Sequence, residues 1–311
     1  MNEALKNESL LKVLTNHHKN EDDSTKSRLE LIESSFKQFF SRLKTACDEG
    51  VARVFLTGVT PVVMAEFTSG FNISVDLALD EEFWNLYGFK KLEVEFLLDR
   101  AFGNNLSDDI KERIISWLKE ENDGYFFHCN QPEGIFNTAR VLYCIKQLMK
   151  QEKKLNKSWE PSVVFNTLIN FSPDPQTLPS QTTLDLIVNN PLGKSILTEA
   201  LSRRPLSING IEQPFQLTNI RELATDRTPL LSFMFYTGAI TYEPNSSPAF
   251  SENNFKIPNC IAEREFVTEA LKIYDWKEED LVPVRKCLQI LEAGYNIEPL
   301  CRFIEKALLS H

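Results

Sequence analysis

The stretch RVFLTGVTPVVMAEFTSGFNIS, Arg53 to Ser74, decides how the chain is read. Its apolar run Val54-Phe55-Leu56 stops at Thr57-Gly58. A Thr60-Pro61 step follows, then Ser69-Gly70-Phe71-Asn72. Val51 to Leu56 predicts a strand buried on both faces, as in a parallel sheet. Upstream, Leu29, Ile32, Phe36, Phe39, Phe40, Leu43 and Cys47 recur at helical spacing between Ser27 and Cys47. Asp48-Glu49-Gly50 ends that helix, with Gly50 as its C-terminal cap. Helix then strand is half of an α/β unit.

Beyond this stretch the pattern is mainly helical. The residues 62–67 read as a short helix, and Asp80-Glu81-Glu82 as a helix start, since acidic side chains favour the positive end of the helix dipole. Helices are predicted from Lys91 to Phe102, Ser107 to Lys119 and Phe136 to Lys150, with a turn at Asp123-Gly124. Residues 151–180 are rich in Pro, Asn and Ser and read as connecting segments. Short helices follow at Leu184–Val188 and Lys194–Arg203. Thr228 to Thr237 reads as an apolar helix, Ala239–Tyr242 and Phe255–Ile257 as two strands, and Pro258-Asn259 as the start of a helix to about Tyr274. Helix, hairpin, helix is a winged-helix outline. The end, Leu281 to Leu309, is helical.

Composition excludes several classes. A net charge of -10 argues against a general phosphate-backbone binder, which needs clustered Lys and Arg. No apolar stretch reaches the length of a membrane span, and the first residues carry no signal-peptide pattern, so an intracellular protein is expected. The six cysteines, Cys47, Cys129, Cys144, Cys260, Cys287 and Cys301, are scattered without metal-ligand spacing and read as free, mostly buried thiols.

Several pieces occur in an order that carries a resemblance. Val54-Phe55-Leu56-Thr57-Gly58-Val59-Thr60-Pro61 with Ser69-Gly70-Phe71-Asn72 comes first. Tyr87-Gly88-Phe89 with Glu93-Val94 follows, then Asp123-Gly124-Tyr125-Phe126. Leu230-Leu231-Ser232-Phe233 with Tyr236-Thr237-Gly238-Ala239-Ile240-Thr241-Tyr242 comes next, and Lys256-Ile257-Pro258-Asn259 last. Over roughly residues 27 to 310 the chain resembles the AAA-ATPase-like domain family, whose members are commonly fused to a PD-(D/E)XK nuclease-like region. In P-loop ATPases phosphates lie at the C-terminal ends of parallel strands. The resemblance therefore implies that Thr57 or Thr60 occupies a sensor position, with Gly58 allowing the tight turn.

Hydrolysis also needs a glycine-rich loop with Lys and Ser/Thr, and an acidic strand end for Mg²⁺. The family carries both upstream of the strand that Thr57-Gly58 ends; only a helix and a polar leader precede it here. The one Gly-Lys-Ser, in Asn190-Pro191-Leu192-Gly193-Lys194-Ser195, has Val188 where the loop's first glycine belongs, and Pro191 has no N–H to offer a phosphate. Nuclease spacings at Asp109-Ile110-Lys111, Glu152-Lys153-Lys154 and Asp275-Trp276-Lys277 fall in or at the ends of helices and read as solvated faces. Arg203-Arg204 reads as a surface pair.

The expectation is an α/β, mostly helical protein: a partial P-loop-type α/β layer, then a helical region, then a winged-helix-like C-terminal region. The divisions are a polar leader over 1–26, an ATPase-like core remnant over 27–106, a helical middle over 107–210 and the winged-helix-like region with C-terminal helices over 211–311. The chain reads as a truncated family member without catalytic residues or metal, acting as a regulatory or protein-interaction module or standing as a degraded copy. Its partner would be another protein, or a second copy through an exposed sheet edge. No cofactor is expected. The alternative is an ATP- and Mg²⁺-binding protein, weakly hydrolytic, using Thr57, Gly58, Thr60, Lys194 and Ser195. A second alternative is a DNA-associated accessory module of a nuclease system. Ser69, Gly70, Phe71, Asn72, Gly124, Tyr125, Gly238, Pro258 and Asn259 are candidate positions on the resemblance alone.

Overall fold

Two apolar periodicities build two cores in the computed structural model. It describes residues 23–57, 75, 77–155, 167–168, 181–213, 215, 217–244, 253–273, 276–294 and 296–309. Within them the protein is mostly helical, with a small three-stranded antiparallel sheet.

The first core is made by three helices. Helix α1 (Asp23–Asp48) precedes them, and α2 (Lys91–Phe102) buries Val94, Leu98 and Phe102, each one turn from the next. Its first turn is tied by Glu93, which accepts the Lys90 N–H at 2.8 Å. Helix α3 (Asp108–Asn122) adds Ile110, Ile114, Ile115 and Leu118, and α4 (Thr138–Leu155) adds Val141, Cys144, Ile145 and Leu148. These stripes pack on one another as a single cluster.

The second core combines α5 (Gln181–Val188), α6 (Gly193–Leu201), β1 (Leu206–Ile208), α7 (Leu217–Glu222), α8 (Arg227–Tyr236), β2 (Thr241–Tyr242), β3 (Asn253–Lys256) and α9 (Cys260–Ile273). The strand order is β1-β3-β2, all antiparallel, with Leu206 opposite Phe255 and Thr241 opposite Lys256. Phe255 on the central strand is fully buried and meets the rings of Phe235 and Tyr242 at 5.8 and 4.7 Å. Asp226 caps α8 by accepting the Thr228 N–H at 2.8 Å.

Helix α9 lies against α5 and α6 and also against α3 of the first core, where Arg264 forks onto both carboxylate oxygens of Glu121. Two further helices, α10 (Glu278–Gly294) and α11 (Glu298–Leu309), pack on each other, and none of their described residues is buried.

Several expectations need correction. Val51 to Leu56 is not a buried strand. Gly50 does end α1, and the chain leaves with the Val51 and Ala52 N–H groups both donating to Ala46 O. The following residues are irregular, and Val51 and Phe55 are 77% and 65% exposed. No parallel pairing occurs among the described residues; every pair in the sheet is antiparallel. An apolar run shows that a segment prefers burial but does not supply a neighbouring strand to bury it against. Asp80 caps only a single 3-10 turn, Glu81–Phe83. The sheet also draws on Leu206–Ile208, three residues too short to show alternation. The predicted helix over 62–67 lies outside the described residues. No described helix is long and apolar enough to cross a membrane.

Candidate functional site

Thr57 stands exposed in the irregular segment after α1. Gly58, Thr60, Ser69, Gly70, Phe71 and Asn72 lie outside the described residues. Lys194 and Ser195 are exposed in the first turn of α6, which follows another helix rather than a strand. Gly193 is buried there, and the Cβ of any other residue would fall 1.7 Å from the carbonyl oxygen of Ile187. The turn's donors are already engaged: the Gly193 N–H bonds Asn190 O at 2.9 Å and the Leu192 N–H bonds Asn190 Oδ1 at 2.9 Å.

The remaining candidates come together where the two cores meet. Gly124 follows α3 with φ +94°, and a Cβ at this position would lie 2.2 Å from Pro258 O. Asn259 is buried and works in both directions. Its Nδ2 donates to Asp123 O at 3.1 Å, and its Oδ1 accepts the Ala262 N–H at 3.1 Å, capping α9. Gly238 closes α8 with φ +75°, beside the Tyr125 ring. Positions 124, 125, 238, 258 and 259 thus form one junction, although up to 135 residues separate them in the chain.

Backbone hydrogen bonds run through this junction from one core to the other. The Tyr242 N–H donates to Phe126 O at 3.3 Å, and the Ile135 N–H donates to Tyr125 O at 3.2 Å. Phe89 and Phe136 exchange both N–H···O bonds, at 3.0 and 2.9 Å. At β2 itself the contact is the Tyr242 bond to Phe126, while the single-residue bridges pair Phe89 with Phe136 and Tyr125 with Ile135. Two side chains missed at the level of sequence hold the ladder. Thr241 Oγ1 accepts the Phe126 N–H at 2.6 Å and donates to Phe126 O at 2.8 Å. Gln131 accepts the Phe127 N–H at 2.8 Å and donates to Tyr125 O at 3.0 Å. Thr241 lay inside a quoted motif; Gln131 gave no signal.

Beside the ladder lies a cleft of ≈ 900 Å³, walled by Asp123, Phe126, Gln131 and Tyr242. Burial pushes the Asp123 carboxyl above its usual range, opposed by the Gly124 N–H, which it accepts, and by Lys119. A folded-state value above the unfolded one means that Asp123 favours folding while protonated. That contribution is full below the unfolded value and is lost as pH rises through the folded one. The Asp123→Asn variant keeps an oxygen for the Gly124 N–H without the charge. Its urea midpoint is expected to exceed wild type at neutral pH, with the difference vanishing as both are taken to about pH 4. Equal differences at both pH values would contradict this.

The thiols are less buried than expected: Cys144 is buried and pushed up to about 12 by that burial, whereas Cys129 and Cys301 are exposed. A thiol's apolar character alone does not place it on the inner face of a helix. Arg203 and Arg204 are exposed, with Arg203 3.8 Å from Glu263. Lys111 pairs with Asp99 and Asp108, each at 2.9 Å, and Glu152 accepts a bond from Asn105 at 3.0 Å, so two of the nuclease-like spacings are surface contacts; Asp275 lies outside the described residues. Compared with protein-family models, curated proteins and solved structures, the chain shows no match to any.

Proposed function

We propose that the chain is a non-catalytic protein of the AAA-ATPase-like kind, working as a regulatory or protein-interaction module. The observation that carries this reading is the state of its only Gly-Lys-Ser turn. A phosphate-binding loop needs free backbone N–H groups around an open concavity. Here the Leu192 and Gly193 N–H groups are bonded to Asn190, and the Ile187 carbonyl fills the space against Gly193.

The interaction side of the proposal rests on exposed apolar side chains. Val51 and Phe55 after α1, and Leu92 and Phe96 on α2, are each more than half exposed. Each pair lies four residues apart in its own segment, and contiguous exposed apolar surface is what meets other proteins. The apolar run replaces the open sheet edge as the surface offered to a partner or a second copy.

The helix–strand–helix–helix–strand–strand order from α6 to β3, with sheet order β1-β3-β2, supports a winged-helix-like unit. In such units the helix before the hairpin reads DNA. That helix is α8, and it buries Pro229, Leu230, Leu231, Met234 and Phe235, while its Arg227 is engaged with Glu199 at 2.9 Å. The unit therefore favours packing over DNA readout.

Calorimetric titration with Mg²⁺-ATP and sedimentation over a concentration series test the proposal together. No nucleotide heat that depends on Lys194 is expected, with an association that Phe55→Asp weakens. Nucleotide heat that disappears in Lys194→Ala would overturn the non-catalytic reading. Sedimentation unchanged by Phe55→Asp and by Phe96→Asp would overturn the interaction reading.

A further inference from the structure

The cleft beside the ladder has a sign of charge opposite to that of the chain. Three lysines reach it from different elements: Lys91 from the first turn of α2, Lys119 from the last turn of α3 and Lys256 from the end of β3. The carboxylates on its wall are Asp123 and Glu133. Three lysines against two carboxylates leave a formal excess of positive charge in a protein whose net charge is -10. None of the three lysines is strongly engaged among the described residues. Lys91 is 3.5 Å from the solvent-screened Glu95, Lys256 stands 6.0 Å over the Phe126 ring, and Lys119 acts on Asp123 through its charge, with no ion pair of its own among the described residues.

The remaining wall offers side-chain amides, Asn130 and Asn254 among them, and the apolar faces of Phe126 and Tyr242. The cleft's volume falls in the range of small-molecule sites, which combine apolar faces with a few polar groups. Lysines supply point charges suited to phosphate.

We propose that this cleft binds a small phosphate-bearing molecule, its anionic group lodged among Lys91, Lys119 and Lys256. The site is separate from the Gly193 turn and from Thr57, so it extends the regulatory reading without depending on nucleotide hydrolysis. Occupancy would bridge α2 and α3 of the first core to β3 of the second, and would stiffen the junction that joins them.

Cys129 supplies a local reporter, because its exposed thiol lines the same cleft. The test measures alkylation of Cys129 by peptide mass spectrometry on the full chain, with inorganic pyrophosphate as the probe. Pyrophosphate is expected to slow alkylation of Cys129 and not that of Cys301. Lys119→Gln and Lys256→Gln should each raise the pyrophosphate concentration needed by about tenfold, the weight of a lost charge-assisted hydrogen bond. Circular dichroism of both variants should match wild type, since Lys119 is exposed and Lys256 is partly exposed at the end of β3. Lys194→Ala should leave the protection unchanged. No protection by pyrophosphate, or protection that persists in the Lys119→Gln/Lys256→Gln double variant, overturns the proposal. Nucleotide heat from this cleft would survive Lys194→Ala, whereas heat at the Gly193 turn would not, and sedimentation is read independently, so the two readings fail separately.

Discussion

Replacing Gly124 by alanine is expected to loosen the joint between the two cores and to lower stability by several kcal/mol. Two penalties combine. Alanine at φ +94° enters a region that disfavours a Cβ, at about 1–2 kcal/mol. The new Cβ also lies 2.2 Å from Pro258 O, a backbone atom with no side-chain freedom to yield, which adds ~1–3 kcal/mol. Relief requires Pro258 to move, and the next residue is Asn259, whose amide holds Asp123 O and whose carbonyl oxygen caps α9. Gly238→Ala separates the two terms. It also has positive φ, but its Cβ would meet only Tyr125 Cε1 at 3.8 Å, an ordinary contact. Urea unfolding of the two variants should therefore differ by the clash term. Hydrogen exchange should show the Phe126 and Tyr242 amides opening first in Gly124→Ala. Equal losses in the two variants would mean that the Gly124–Pro258 approach carries no energy.

Much of the helical frame was legible because long amphipathic stripes are strong signals. The helix predicted from Lys91 to Phe102 is α2 at its observed limits, and Gly50 ends α1 in the predicted way. The segment Val51–Leu56 was misread because hydrophobicity reports a preference for burial, while burial in a sheet needs neighbouring strands. β1 and α7 went unread because Leu206–Ile208 and Leu217–Glu222 are too short for a period to repeat.

The candidate junction divides similarly. Gly124, Gly238 and Pro258-Asn259 were visible as residues, yet nothing local says that position 124 meets position 258. Such contacts arise only when the cores close on each other. The lysines of the cleft were invisible for a different reason. Lys91, Lys119 and Lys256 lie on three separate elements, and only the fold gathers them.

Gly193→Val is expected to be the most damaging single change in the second core. The α5–α6 turn reverses the chain in four residues, with Asn190 holding it by accepting from Leu192 and Gly193 and donating to Leu223 O at 2.8 Å. A Cβ at 193 would fall 1.7 Å from Ile187 O and 2.8 Å from its carbon, so α5 and α6 would have to separate. Those helices carry Leu184, Ile187, Ile196 and Leu197, all essentially without solvent exposure. The loss should reach or exceed the upper end of the ~1–3 kcal/mol typical of overpacking. Gly210→Ala, where a Cβ meets nothing within 4 Å, is the control and should stay within about 0.5 kcal/mol of wild type. Exchange protection should fall across α5, α6 and α9 while α2 and α4, which share the other core, keep theirs. A fully protected α5 in Gly193→Val would contradict the close packing. Nucleotide binding gained in that variant would show that the turn can open after all, and would remove the main support for a non-catalytic role.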